Sequence, residues 1–105
     1  MGVLENYVIL ETGIPTRLHF VDHTIQRRTI TDPLTGTPAS RNVLVFDVDE
    51  MDRKPVSAKY SIMAEKHAAQ FGPFLPTKSY RDFTYTITRS GEGFRTSWSV
   101  LQEPR

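Results

Sequence analysis

Residues 56–73, VSAKYSIMAEKHAAQFGP, change from the period of a β-strand to that of an α-helix within one uninterrupted run. Up to Ile62, apolar side chains occupy every second position, which is typical of a strand with one buried face. From Met63 to Phe71 the apolar residues recur at helical spacing, and Gly72-Pro73 then ends the run. The sequence therefore predicts a strand over residues 56–62, followed directly by one short helix over residues 63–71.

Two longer strand-like segments precede this run. In residues 16–31 the alternation of apolar and polar side chains slips between Phe20 and Val21, which predicts a bulge or bend. Residues 42–50 contain the continuous apolar run 43–46 and predict a buried strand. Pro and Gly at turn positions make residues 32–38 a loop. A short opening segment, residues 6–11, would extend the first strand or add an edge strand.

Two strands with clear alternation follow the helix. Phe83, Tyr85 and Ile87 alternate with threonines, and from residue 94 to residue 101 aromatic and apolar residues alternate with polar ones. The glycine-bearing residues 90–93 between these strands predict a hairpin turn.

This order of strands and helix indicates the fold class. Five strands with a helix between the third and the fourth are typical of the OB-fold, a five-stranded Greek-key barrel. We therefore predict a mainly β, OB-fold-like barrel with one short helix, forming a single domain over residues 1–105. SH3-like barrels share much of the pattern, and the mid-chain helix favours the OB arrangement. The aromatic residues expected in the core are Phe20, Phe46, Phe71 and Phe83.

The composition limits the classes of function. The chain has 105 residues and no cysteine, which predicts one domain, excludes disulfides and thiolate metal sites, and favours a reducing, cytoplasmic location. The first six residues lack the features of a signal peptide, and no stretch approaches the roughly 20 apolar residues of a membrane helix, so we expect no membrane association. Without a catalytic triad, phosphate loop or dinucleotide motif, we predict a protein that is not an enzyme and needs no cofactor.

The formal net charge of +1 conceals an uneven distribution. Residues 47–52 hold four acids and no base, whereas residues 53–101 hold eight bases against three acids, a local excess of +5. A positive field of this kind attracts phosphates, and the acidic run would confine binding to one side. An ordinary mixed surface is the competing interpretation.

Three segments resemble a known family: residues 31–36 (TDPLTG), 44–48 (LVFDV) and 87–94 (ITRSGEGF). They resemble small phage or archaeal single-stranded-DNA-binding proteins with OB-like folds, and the resemblance covers about residues 14–101. It implies a protein without enzymatic activity that coats or holds single strands, and it assigns no individual binding residues.

The binding residues are predicted from the physics of single-strand binding, which combines a positive groove with exposed rings on which bases stack. In an OB barrel the groove would lie near the loops at residues 32–40 and 90–93. Arg89 and Arg95 flank the second loop, and two adjacent like charges are costly unless an anion relieves them. The basic residues expected to meet phosphates are Arg28, Arg41, Lys59, Arg89 and Arg95.

Bases are expected to stack on one or two of Tyr60, Tyr85 and Trp98. Tyr60 and Trp98 lie on the apolar faces of their strands, so burial in the core is the competing role for both. The predicted partner is single-stranded DNA, with RNA as an alternative, bound largely without sequence preference.

Two other functions stay open at this point. The first is an interaction or oligomerisation module whose strand edges pair with a partner or form a homodimer. The second is a Mg²⁺-dependent nuclease using Asp47 and Asp49, which would lie about 7 Å apart on one side of a strand. His19 and His23 would be about 13 Å apart in a strand, so we predict no metal site there. His67 is expected at the surface, half-exposed.

Overall fold

A computed structural model describes residues 6–31 and 33–105, without the side chains of Ile30 and Phe94. Met1–Glu5 and Asp32, the first residue of the predicted loop, lie outside the described residues. Five antiparallel strands form one sheet in the order β3-β2-β1-β4-β5. Their bounds are β1 Thr16–Thr31, β2 Pro38–Met51, β3 Lys54–Ile62, β4 Phe83–Ser90 and β5 Ser97–Pro104. Helix α1, Glu65–Ala69, lies between β3 and β4, and three 3₁₀ turns cover Gly72–Phe74, Ser79–Asp82 and Gly93–Arg95. The prediction of a mainly β chain with one helix at this place is confirmed.

The predicted bulge in the first strand is also confirmed. The pairing register of β1 with β2 shifts between His19 and Phe20 and again between Phe20 and Asp22. Before the bulge, Thr16–Leu18 pair with β4, and from Leu18 onwards β1 pairs with β2. The extra residue bends β1, so that its first residues pair with β4 and its later residues pair with β2.

Aromatic rings fill the space enclosed by the bent sheet. Phe20 and Phe46 stack with their centroids 4.1 Å apart, and Phe71 meets both rings edge-on. All three are fully buried, as predicted, and burying one such side chain stabilises the fold by roughly 1.5–3 kcal/mol. Phe83, also expected in the core, is only half-buried, because it is the first residue of β4 and lies at the end of the strand. Its ring centroid is 6.2 Å from that of Phe74.

Helix α1 is shorter than the predicted residues 63–71. Ala64 has an extended backbone (φ −76°, ψ 122°) and no side chain caps the helix there, so the first turn starts late. At the other end Gly72 and Pro73 begin a 3₁₀ turn directly after Phe71. Five helical residues remain. The helix still places His67 in the core, and Phe71, two residues after the helix, is also buried there. Within the described part of the chain, no helix has the length and apolar character needed to cross a membrane.

The prediction of a closed barrel is wrong for the residues described. Strands β3 and β5 are the two edges of the sheet, and no ladder joins them. The N-terminal segment, defined here as residues 6–14, runs beside β3 instead: the Val8 N–H donates to the Lys59 carbonyl (2.8 Å) and the Lys59 N–H to the Asn6 carbonyl (2.7 Å). Farther along, the Gly13 N–H donates to the Arg89 carbonyl on β4 (2.8 Å). The predicted opening strand is thus one parallel bridge, Tyr7 to Lys59, that covers part of the β3 edge.

Candidate nucleic-acid interface

The β1–β2 hairpin extends well beyond the rest of the sheet. Pairing with β4 involves only Thr16–Leu18 of β1, and pairing with β3 ends where Leu44 meets Ile62. Residues 26–31 and 38–43 therefore form a two-stranded ribbon of six residue pairs, called the arm here, with no described third strand alongside. At about 3.3 Å per residue the arm is roughly 20 Å long. The sequence reasoning missed this length because it began the second strand at Asn42, four residues late.

The arm places arginines against each other. Arg28 and Arg41 are direct cross-strand partners, and Arg27 pairs with Asn42 beside them. The Arg28 guanidinium donates from Nη2 (2.7 Å) and Nε (3.2 Å) to the Gln26 Oε1, which fixes its orientation. Two like charges directly opposite each other are unfavourable, and the described arm residues include no carboxylate to neutralise them. Two of the predicted phosphate ligands, Arg28 and Arg41, are thus brought together.

A groove of about 610 Å³ lies between the arm and α1. Arg27 and Arg41 line its arm side, and Glu65 is an acidic residue on the helix side. The groove is also lined by Ile25 and Met63, whose apolar side chains are each 58% exposed. It therefore offers cations along one wall and accessible hydrocarbon beside them. Sequence reasoning missed Arg27. It is next to Arg28 in an alternating strand, so the two side chains lie on opposite faces of the ribbon, and Arg28 is not among the described residues that line the groove.

The other predicted cations lie elsewhere. The Lys59 ammonium is 3.7 Å from the Asp47 carboxylate across the β2–β3 ladder. The predicted proximity of Arg89 and Arg95 across the hairpin is wrong, because the register places Arg89 opposite Trp98. Arg95 falls in the 3₁₀ turn, which makes the connection longer than residues 90–93, and it is exposed there. Neither Lys59 nor Arg95 lines the groove.

The structure changes the roles of the three predicted stacking rings. Tyr60 and Tyr85 are buried, with 4% and 1% of their surfaces exposed, so their faces are not available to bases. Both rings contact Phe20 in the core, at 6.1 Å and 5.5 Å between centroids. Burial raises the pKa of the Tyr85 phenol to about 12 and raises that of Tyr60 further, with Arg89 opposing the latter shift. Of the three residues, Trp98 alone is not buried; it is half-buried.

A chain of hydrogen-bonded side chains connects the edge strands β3 and β5. It passes through His67 of α1 and through Gln70, which directly follows this helix. The Tyr60 hydroxyl donates to His67 Nε2 (2.6 Å), and His67 Nδ1 donates to Gln70 Oε1 (2.6 Å). Gln70 Nε2 then donates to the Trp98 carbonyl on β5 (3.0 Å), and the Trp98 indole stacks on the His67 ring at 4.9 Å. Burial favours the neutral ring, and with the proton on Nδ1 its Nε2 is the acceptor for the Tyr60 hydroxyl.

His67 is 2% exposed, so the expectation of a half-exposed surface residue is wrong. Burial lowers the pKa of His67, and the hydrogen bond to Gln70 partly opposes that shift. The sequence contained a signal for this position. His67 lies three residues after Ala64 and four before Phe71, which is the spacing of a shared helical face.

The two carboxylates considered for a nuclease are each held by a basic partner. Asp47 faces Lys59, and Asp49 Oδ1 is 2.6 Å from Nδ1 of the buried His19, whose Nε2 donates to the Arg81 carbonyl (2.8 Å). A bulge between Val48 and Glu50 also interrupts the strand that would have aligned the acids. Across residues 6–31 and 33–105 no three His, Asp or Glu side chains are grouped as a metal site.

Comparisons with protein-family models, with curated proteins and with solved structures found no match to this chain.

Proposed function

We propose that this protein binds single-stranded nucleic acid, with DNA as the expected partner, through the arm and the adjoining groove. The observation that carries the proposal is the direct cross-strand pairing of Arg28 with Arg41 on a projecting ribbon. Phosphates between the two guanidinium groups would replace a repulsion with two charge-assisted contacts. Arg27 would add a third contact from the groove side.

The groove favours an unpaired strand over a duplex. In a duplex the bases are stacked inside, so only phosphates and base edges could meet the protein. An unpaired strand can instead turn its bases onto the exposed hydrocarbon of Ile25 and Met63 while its phosphates follow Arg27 and Arg41. Such contacts do not distinguish one base from another, which fits binding without strong sequence preference.

We also propose that the sheet is an open variant of the OB-fold. Three features support this assignment: the bulged first strand paired on both sides, the helix between β3 and β4, and an opening between β3 and β5. Helix α1 and the N-terminal segment occupy that opening where a closing ladder would otherwise lie. An experimental structure with β1 at an edge of the sheet would contradict the assignment.

The test is binding of a fluorescent oligonucleotide of about 15 nucleotides, followed by anisotropy between about 50 and 200 mM salt. For the double variant R28Q/R41Q we expect affinity to fall by up to about thirtyfold, taking roughly 1 kcal/mol for each lost contact. The slope of log affinity against log salt should also become shallower by about 1.4, since each phosphate contact on a single strand contributes about 0.7.

A charge-matched control is R53Q/K54Q, which removes one exposed cation from the turn between β2 and β3 and one from the first residue of β3. This variant should keep the affinity and the salt slope of the parent to within a few-fold. Equal losses in both double variants would mean that net charge alone governs binding, and the arm would then have no special role. Absence of binding by the parent protein at micromolar concentration would overturn the proposal itself.

Self-association is the second function that a specific observation favours. Among the described strands β5 pairs only with β4, so no strand covers its outer edge, and Leu101 on this strand is 58% exposed. Antiparallel pairing of two β5 edges would form a homodimer. Sedimentation velocity separates the two functions: a dimer that ignores the oligonucleotide supports self-association, whereas a monomer that binds it supports the arm.

A further inference from the structure

Arg89 is a cation that points towards the inner face of the sheet. Alternation along β4 places its side chain on the same face as Tyr85 and Ile87, which are fully buried. Its Nε is buried without a hydrogen-bond partner, and none of the ion pairs among the described residues includes Arg89. Burying this N–H group without an acceptor costs free energy, so an anion that reached the guanidinium would relieve that penalty.

The side chain of Arg89 lines a cleft of about 390 Å³ at the opening between β3 and β5. The N-terminal segment forms one wall with Ile9 and Leu10, and Ile62 contributes another apolar surface from β3. The described lining residues include no carboxylate. The cleft therefore suits a ligand that combines an apolar or aromatic body with a negative charge.

Trp98 gives the cleft an aromatic surface next to this cation. It is the direct cross-strand partner of Arg89, and both residues line the cleft. Stacking on His67, with 5° between the ring planes, fixes the orientation of the indole. A held ring beside an unpaired guanidinium matches the two parts of a nucleotide, since bases stack on rings and phosphates bind arginine.

The cleft and the groove meet at Met63. This exposed side chain lines both, because it lies at the junction where β3 ends and the chain turns towards α1. A strand lying along Arg41 in the groove can thus continue across Met63 towards Arg89 without leaving the surface.

We propose that the cleft binds a single nucleotide, with its base against Trp98 and its phosphate on Arg89. The inference rests on the proposed function: the nucleotide would be one unit of the bound strand, and a free mononucleotide has the same chemistry. Because the groove supplies the remaining contacts, the cleft should bind a mononucleotide more weakly than the whole interface binds an oligonucleotide.

Trp98 is the only tryptophan in the chain, so its fluorescence reports on the cleft directly. Titration with a deoxynucleoside monophosphate to about 10 mM should give saturable quenching, with a dissociation constant in the millimolar range or below. The variant R89M should lose this quenching, while the control R53Q should retain it. The arm variant R28Q/R41Q should quench normally with the mononucleotide even though it binds the oligonucleotide poorly.

A second measurement separates a ligand-binding role from a structural one. Methionine fills a similar apolar volume without a charge, so R89M should unfold at the same or a higher temperature than the parent. A clear fall in the melting temperature of R89M would assign Arg89 a structural role and overturn the inference. Absent quenching in the parent would also overturn it, and if the oligonucleotide still bound in a salt-dependent way, the proposed function would stand.

Discussion

Acidification below about pH 6.5 should destabilise this protein through His67. The ring is buried and neutral, and burial holds its pKa below the ordinary value of 6.5. The folded state therefore binds a proton less readily than the unfolded state, so stability is complete above pH 6.5 and falls as the pH drops towards the folded-state pKa. One proton taken up on unfolding corresponds to a loss of up to about 1.4 kcal/mol per pH unit across this window.

The assay is urea denaturation followed by circular dichroism at several pH values between about 7.5 and 5. The comparison variant is H67Q, because glutamine has a donor and an acceptor for Tyr60 and Gln70 but does not titrate. His19 and His23 are present in both proteins, so the difference between the two pH profiles isolates the contribution of His67. Below about pH 6.5 the free energy of unfolding of the parent should fall relative to that of H67Q.

Parallel pH profiles would refute this reasoning, because they would mean that unfolding does not change the protonation of His67. A stability of the parent that rises on acidification would refute the neutral tautomer in particular. In that case both ring nitrogens would donate, and the hydrogen bond from Tyr60 to His67 would have to be reversed.

Two further substitutions test the core and a turn. F46A should cost about 3–5 kcal/mol in urea denaturation, because Phe46 is fully buried against Phe20; a loss below 1 kcal/mol would contradict the stacked core. Gly91 has φ +80°, and a Cβ there would press on the Arg95 carbonyl. G91A should therefore lower the melting temperature more than the control G36A, whose φ is also positive (+70°) but whose Cβ would meet open space; equal effects would contradict the crowded turn.

Local sequence patterns predicted much of the secondary structure. The slip at Phe20 marked the bulge, and the apolar run of residues 43–46 marked the buried centre of β2. These features depend on neighbours in the chain, so alternation and spacing were sufficient to find them. The position of the helix after Ile62 was predictable for the same reason, although its ends depended on backbone geometry.

Pairings between distant segments could not be predicted in this way. The sequence did not indicate that the N-terminal segment would take the place beside β3 that a closed barrel gives to β5. Alternation placed Tyr60 and Tyr85 on apolar faces but could not show that the opposing surfaces would cover them completely. The arm escaped notice because its residues are mostly polar, and among those with described side chains only Val43 is buried, which is too little to produce an alternating pattern.

The predicted positions of the arginines show the same difference between local and distant pairings. Arg28 and Arg41 came together because a simple hairpin aligns the two strands that carry them. Arg89 and Arg95 did not, because the turn between β4 and β5 is longer than the glycines suggested, and a shift in register changes every opposing pair.

The ladder between β1 and β4 is short, so the sheet resists force less there than between β1 and β2. Three residue pairs connect the β1–β2–β3 meander to the β4–β5 hairpin, so this seam resists shear less than the long β1–β2 ladder does. Under force or partial denaturation the hairpin would peel away first and carry Arg89 and Trp98 with it. The arm would outlast the cleft, so an intermediate of this kind would keep the Arg28–Arg41 pair after the cleft at Arg89 and Trp98 is lost.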